Sequence, residues 1–237
     1  MASLDRPLEV FLTRTFLFTV LPVALGAGVM VLDASARGRL RQAEAMLIPL
    51  FIIGVAGSGF GGFIAHVFIS DEIAESIGWE AGSPFQLEVG FANLAIGLLG
   101  AIAAERRDGF REATVIAATV FAVGATFVHV EDILDSGNLA PGNTIQNVPN
   151  LLRPALLIFF LRRSRRADLP PGGGRAFDAW RAPILRASVV CVVIVSTAFA
   201  VGFALDQSAI LAAFGTLVAA VGFGVSILVS RRPAPSQ

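Results

Sequence analysis

Seven apolar runs on the scale of a bilayer crossing constrain the fold of this 237-residue chain more than any other feature. They lie at Phe16 to Leu32, Ala45 to Phe68, Leu87 to Ala104, Thr114 to Val130, Val148 to Leu161, Ile184 to Leu205 and Ala209 to Val229. Hydrophobic residues make up 55% of the chain and charged residues 15%, too apolar a balance for an ordinary soluble domain. The pattern predicts an all-α, polytopic membrane protein with seven transmembrane helices. Its first partner is the lipid bilayer, and nucleic acid is not an expected one.

The formal net charge is zero, but the charges segregate by loop. Basic stretches at Arg37 to Arg41, Arg106 to Arg111 and Arg162 to Arg186, with Arg231 and Arg232, alternate with acidic or uncharged loops. The positive-inside rule then predicts an N-terminus outside and a C-terminus inside. Asp33-Ala34-Ser35-Ala36 imitates a signal-peptide cleavage site. The preceding run is long for a signal core, however, and the arginines that follow favour keeping that end in the cytoplasm, so a retained span is expected. The PPGGG run from Pro170 to Gly174 reads as a linker. It divides the chain into 1–166, holding five helices and the candidate site, a cytoplasmic linker at 167–183, and 184–237 with two more helices and the tail.

Missing residue types exclude whole chemistries. All 18 basic residues are Arg, so a lysine Schiff base is impossible, and with it retinal or pyridoxal phosphate as cofactor. One cysteine, Cys191, allows neither an internal disulfide nor a thiolate cluster. No tyrosine is present for phenol or radical chemistry.

The functional signal lies between Gly61 and Gly100, where an apolar run ends at His66 and an acidic segment leads into the next run. Asp71, Glu72, Glu75, Glu80 and Glu88 stand there without a basic residue between them, a repulsion that water, protons or a cation must relieve. A repeat adds to it: Gly61-x4-His66-Val67 recurs as Gly124-x4-His129-Val130, each followed by acids and then an Asn-Leu pair, at Asn93 and Asn150. The repeat pairs helices two and three with helices four and five, and the relating axis would run along the membrane normal. His66 and His129 are the only two histidines.

With Glu72, Glu75, Glu88, Asp132 and Asp135 nearby, the two histidines supply the ligand types of a divalent metal site. Only His129 and Asp132 have a helical ligand spacing, and the chain must turn after Ser70 for the acids to converge. Two other readings stand beside this one: histidines capping helix ends above a solvated acidic rim, and a proton relay. Gln86 and Asn93 share one helical face, and Gln146, Asn150 and Arg153 share another, so these faces should meet each other or a cavity, where they would orient a small apolar or anionic substrate. Arg153 is a counter-ion for the acids, a grip for an anionic substrate, or an arginine snorkelling to the interface. Ile73, Ile77 and Trp79 predict a short amphipathic segment at the interface, an anchor or a lid. Small residues at Gly54, Gly57, Ser58, Gly61 and Gly62 predict close helix packing.

The block AESIGW (74–79), GSPFQ (82–86) and EVGFANL (88–94) resembles a family of uncharacterised bacterial integral membrane proteins. The resemblance implies a bacterial inner-membrane location and brings no activity with it. The expected function is cation binding, foremost a divalent metal, in an outward-facing His/carboxylate cavity, with metal-dependent intramembrane catalysis as one use of it. A proton- or ion-coupled transporter and a non-catalytic subunit of a membrane complex, or of a homo-oligomer, are the alternatives.

Overall fold

The computed structural model describes residues 14–32, 39–165, 184 and 186–190. Among the described residues every regular element is helical. Helix α1 spans Phe16–Leu32. Helix α2 runs without a break through Arg39–Pro49, a π-helical stretch Leu50–Gly57, and Ser58–Phe68. There follow α3 (Ser70–Ile77), α4 (Phe85–Glu105), α5 (Gly109–Ser136), the single turn α6 (Pro141–Thr144) and α7 (Asn147–Arg165).

Three of these, Gln42–Phe68 within α2, α4 and α5, are long and apolar enough to cross a membrane, and α1 is a shorter apolar helix. The fifth apolar run is helical as α7 but is not one of those three. The sixth and seventh runs, apart from Ile184 and 186–190, and the linker at 167–183 lie outside the described residues.

Helix α2 is the axis of the bundle. Its most apolar window is 72% buried, against 28% in α4 and 22% in α5. Leu47, Ile48, Leu50 and Phe51 pack with Leu17 of α1, Ala103 of α4, Val115 of α5 and Leu157 of α7. Outward faces of α4 and α5 carry Phe91, Leu98, Ile102, Ile116, Val120 and Phe127, an exposed apolar belt suited to lipid. The π-helical stretch begins right after Pro49, whose ring cannot supply the N–H of a regular turn.

The two ends of the bundle differ in charge. Basic Arg106, Arg107, Arg111, Arg163 and Arg165 gather at one end with Gln42, Glu44 and Glu112. His66 and the acids of α3 occupy the other. At the basic end, Asp108 caps α5 by accepting from the Phe110 N–H at 3.1 Å. The hydrogen bond from Arg106, helped by that backbone N–H, holds the Asp108 carboxyl down to about 2. The cap therefore contributes fully above the unfolded value of 3.8 and is lost as the pH falls through about 2. Amide exchange at Phe110 should accordingly show constant protection at neutral and mildly acidic pH. Loss of protection at pH 5 would contradict the pairing.

Candidate functional site

The chain turns where the acidic block begins. Ile69 leaves helical geometry at φ −134° and ψ 44°, and α3 starts one residue later. Amphipathic α3 then buries Ile73, Ala74 and Ile77, which carries Glu72 and Glu75 to its opposite, exposed face. Gly78 ends the helix at φ +84°, and a Cβ there would lie 2.6 Å from Asn138 Oδ1.

Beneath α3, helices α1, α2, α4, α5 and α7 line a partly open cavity of about 420 Å³. Gln86 and Asn93 reach it from α4, Gln146, Asn150 and Arg153 from the α7 region, and His66 and His129 from α2 and α5. All five residues expected on the two polar faces thus line one space, together with both histidines. Ile73, Ile77 and Trp79 of the α3 segment also line it, so this segment covers the cavity rather than lying apart from it.

The metal ligand set expected from the sequence does not come together. Among the described residues no three His, Cys, Asp or Glu side chains are placed to hold a metal ion. Glu72, Glu75, Glu88 and Asp135 are exposed, and no Asp or Glu among the described residues lines the cavity. The reason is helical phase: the faces that pack carry Ile73 and Ile77 on α3 and Gln86 with Gly90 on α4, so the acids between them point away. Nor are the two halves of the sequence repeat locally alike. The helix breaks three residues after His66 but continues seven residues past His129 to Ser136.

Asp132 has another occupation. Its Oδ2 accepts from Trp79 Nε1 (2.9 Å), Asn138 Nδ2 (2.7 Å) and Asn143 Nδ2 (3.0 Å), and its Oδ1 from Ser136 (2.8 Å). One carboxylate therefore ties the α3 segment to α5 and to the α6 turn. Asn143 spends its second N–H on the Asn138 carbonyl at 2.8 Å, which orients its Oδ1 toward His129 Nδ1, also at 2.8 Å. That places the neutral ring's proton on Nδ1 and leaves Nε2 as the acceptor. Trp79 stacks on the same imidazole, with centroids 5.4 Å apart and planes 21° from parallel.

Residues 13–170, which include the whole cavity wall, match a single family. The chain belongs to DUF6790, a family of unknown function. No curated protein and no solved structure matches it. A family without an assigned activity is consistent with what the block at 74–94 implies.

In this DUF6790 chain several other polar groups of the wall are also held in place. His66 Nδ1 meets Gln86 Oε1 at 2.5 Å. Asn93 Nδ2 donates to the Val89 carbonyl, and Gln146 Nε2 to Asn150 Oδ1 at 3.0 Å. Arg153 Nη1 donates to Ser58 Oγ at 2.7 Å. Sequence reasoning missed Arg14, Ser58, Asn138 and Asn143. Ser58 had a signal, since a serine inside an apolar helix either bonds its own carbonyls or serves a partner, and here it does both. Asn143 stands in a Pro-Gly-Asn turn and had none.

Proposed function

We propose that this chain is an integral membrane protein that binds a small organic molecule in the cavity between α1, α2, α4, α5 and α7. One observation carries the reading: polar side chains from four helices converge on a cavity of about 420 Å³ while the described carboxylates stay outside it. That size falls within the range of roughly 300–1,000 Å³ typical of small-molecule sites. Mostly apolar walls with a few held polar groups suit a ligand that is itself largely apolar. The cluster of arginines at the end opposite His66 supports an orientation with the cavity end away from the cytoplasm. Seven spans, with Ile184 to Leu205 and Ala209 to Val229 as the last two, remain part of this proposal on the strength of their apolar length.

Ala125 lies on the cavity face of α5, one turn from Phe121 and one from His129. Ala125→Phe should fill the space without touching the core around Leu47 and Phe51. Protein purified in mild detergent should yield a co-purifying small molecule on solvent extraction and mass spectrometry, and the variant should retain about a tenth of it or less. Equal amounts of the same molecules from both proteins would refute the reading.

A further inference from the structure

The cavity wall contains a cation that the described part of the protein does not neutralise. Arg153 stands on α7 just before Pro154, with one of its five N–H donors on Ser58 Oγ. Ser58 directs its own proton to the Gly54 carbonyl at 2.6 Å, so toward Arg153 it acts purely as acceptor. Among the described residues no carboxylate lies within ion-pair distance of Arg153, and its buried Nε has no hydrogen-bond partner. Elsewhere in the bundle the protein does pair its buried arginine: Arg111 grips Glu44 with both ends of its fork.

Other features of the wall point the same way. Arg14, just before α1, also lines the cavity. Among the described residues no carboxylate lines this space to receive a cation, whereas the Arg153 guanidinium opposes one. An anion would meet a planar fork suited to a carboxylate or a phosphate. Ser58 lies eight residues along α2 from His66, a rise of roughly 12 Å, so the arginine head sits well below the cover formed by Ile73, Ile77 and Trp79. Phe18, Ile96, Phe121 and Leu157 supply apolar wall.

We infer that Arg153 anchors the anionic group of the cavity's ligand. The ligand is then a small organic anion, a carboxylate or phosphate ester with an apolar body, seated head-inward at the depth of Ser58. This rests on the reading of the cavity as a ligand site. The low-dielectric surroundings strengthen the contact, and the ligand's charge offsets a half-buried cation that no described carboxylate pairs.

The test uses full-length protein in detergent with Trp180→Phe, which makes Trp79 in the cavity cover the sole tryptophan. Trp79 emission and thermal stability are followed during titration with hexanoate, hexyl phosphate, hexanol, hexylamine and inorganic phosphate. The two organic anions should bind saturably and about ten-fold or more tighter than hexanol, with hexylamine weakest. Arg153→Met should abolish that preference, and Arg153→Lys should weaken it less. Hexanol or hexylamine binding as tightly as hexanoate, or an anion preference that survives Arg153→Met, would overturn the anchor while leaving the cavity as a ligand site. Inorganic phosphate binding as tightly as hexyl phosphate would overturn the apolar body of the ligand. No saturable response to any probe would remove the ligand site itself. Should Arg153→Met fail to fold, the head-group series on the parent protein decides the question alone.

Discussion

Arg111→Met is expected to destabilise the folded protein by about 3–5 kcal/mol, the range for removing one partner of a buried ion pair. Arg111 and Glu44 are each only 1% exposed, so neither charge has water to fall back on. Arg111 Nη1 meets Glu44 Oε1 at 2.5 Å and Nη2 meets Oε2 at 3.0 Å, a bidentate fork. The same guanidinium donates from Nε to the Ala103 carbonyl at 2.9 Å and from Nη2 to the Ala104 carbonyl at 3.2 Å. Those carbonyls belong to the last turn of α4, where no intrahelical N–H remains to satisfy them. Methionine would fill the volume over the Phe51 ring but leave the Glu44 carboxylate buried, with Ser164 at 3.2 Å and Arg107 at 3.8 Å as its remaining partners. The double variant Glu44→Gln, Arg111→Met should recover part of the loss, because it removes the orphaned charge. Denaturant unfolding in detergent measures both. A loss under about 1 kcal/mol for the single change would mean the pair is wetted like a surface bridge.

The sequence showed Arg111 only as one arginine of a basic loop, because its partner stands 67 residues away and nothing local announces it. That contrast runs through the molecule. Helices were legible because apolar runs of bilayer length have few other fates, and the two polar faces because Gln86 with Asn93, and Gln146 with Asn150 and Arg153, are spaced for one side of a helix. The break after His66 could also be anticipated, from the acids that a continuous span would not carry. What composition could not show was facing. Five carboxylates near two histidines resemble a ligand set by inventory, but the burial of Ile73, Ala74 and Ile77 decides where Glu72 and Glu75 point. Asp132 likewise reads as a candidate metal ligand in the sequence, while three N–H donors from residues 6, 11 and 53 positions away occupy one of its oxygens. Such contacts arise from tertiary packing, and no periodicity encodes them.

The stripe of small residues on α2 was legible as a packing surface but not as a set of different partners. Gly54 and Gly57 face Phe18 of α1, and Gly62 faces Asn93 of α4. The tightest contact belongs to Gly59, one position off the expected set. A Cβ built there would lie 2.6 Å from both the Cα and the N of Gly97 and 2.7 Å from the Asn93 carbonyl oxygen. These are backbone atoms, which cannot swing aside as a side-chain tip can. Gly59→Val should therefore push α2 and α4 apart and destabilise the protein by about 3 kcal/mol or more, the upper end of overpacking costs. Because Asn93 and Ser58 flank this contact, the same variant should also disturb the cavity and weaken ligand retention. Gly124→Val supplies the control, since a Cβ at Gly124 meets nothing within 4 Å and its stability should stay within about 0.5 kcal/mol of the parent. Denaturant midpoints of the two variants, compared with the parent in the same detergent, read the difference directly. If Gly59→Val unfolds at the parent's midpoint, the two helix backbones do not approach as closely as Gly59 and Gly97 place them.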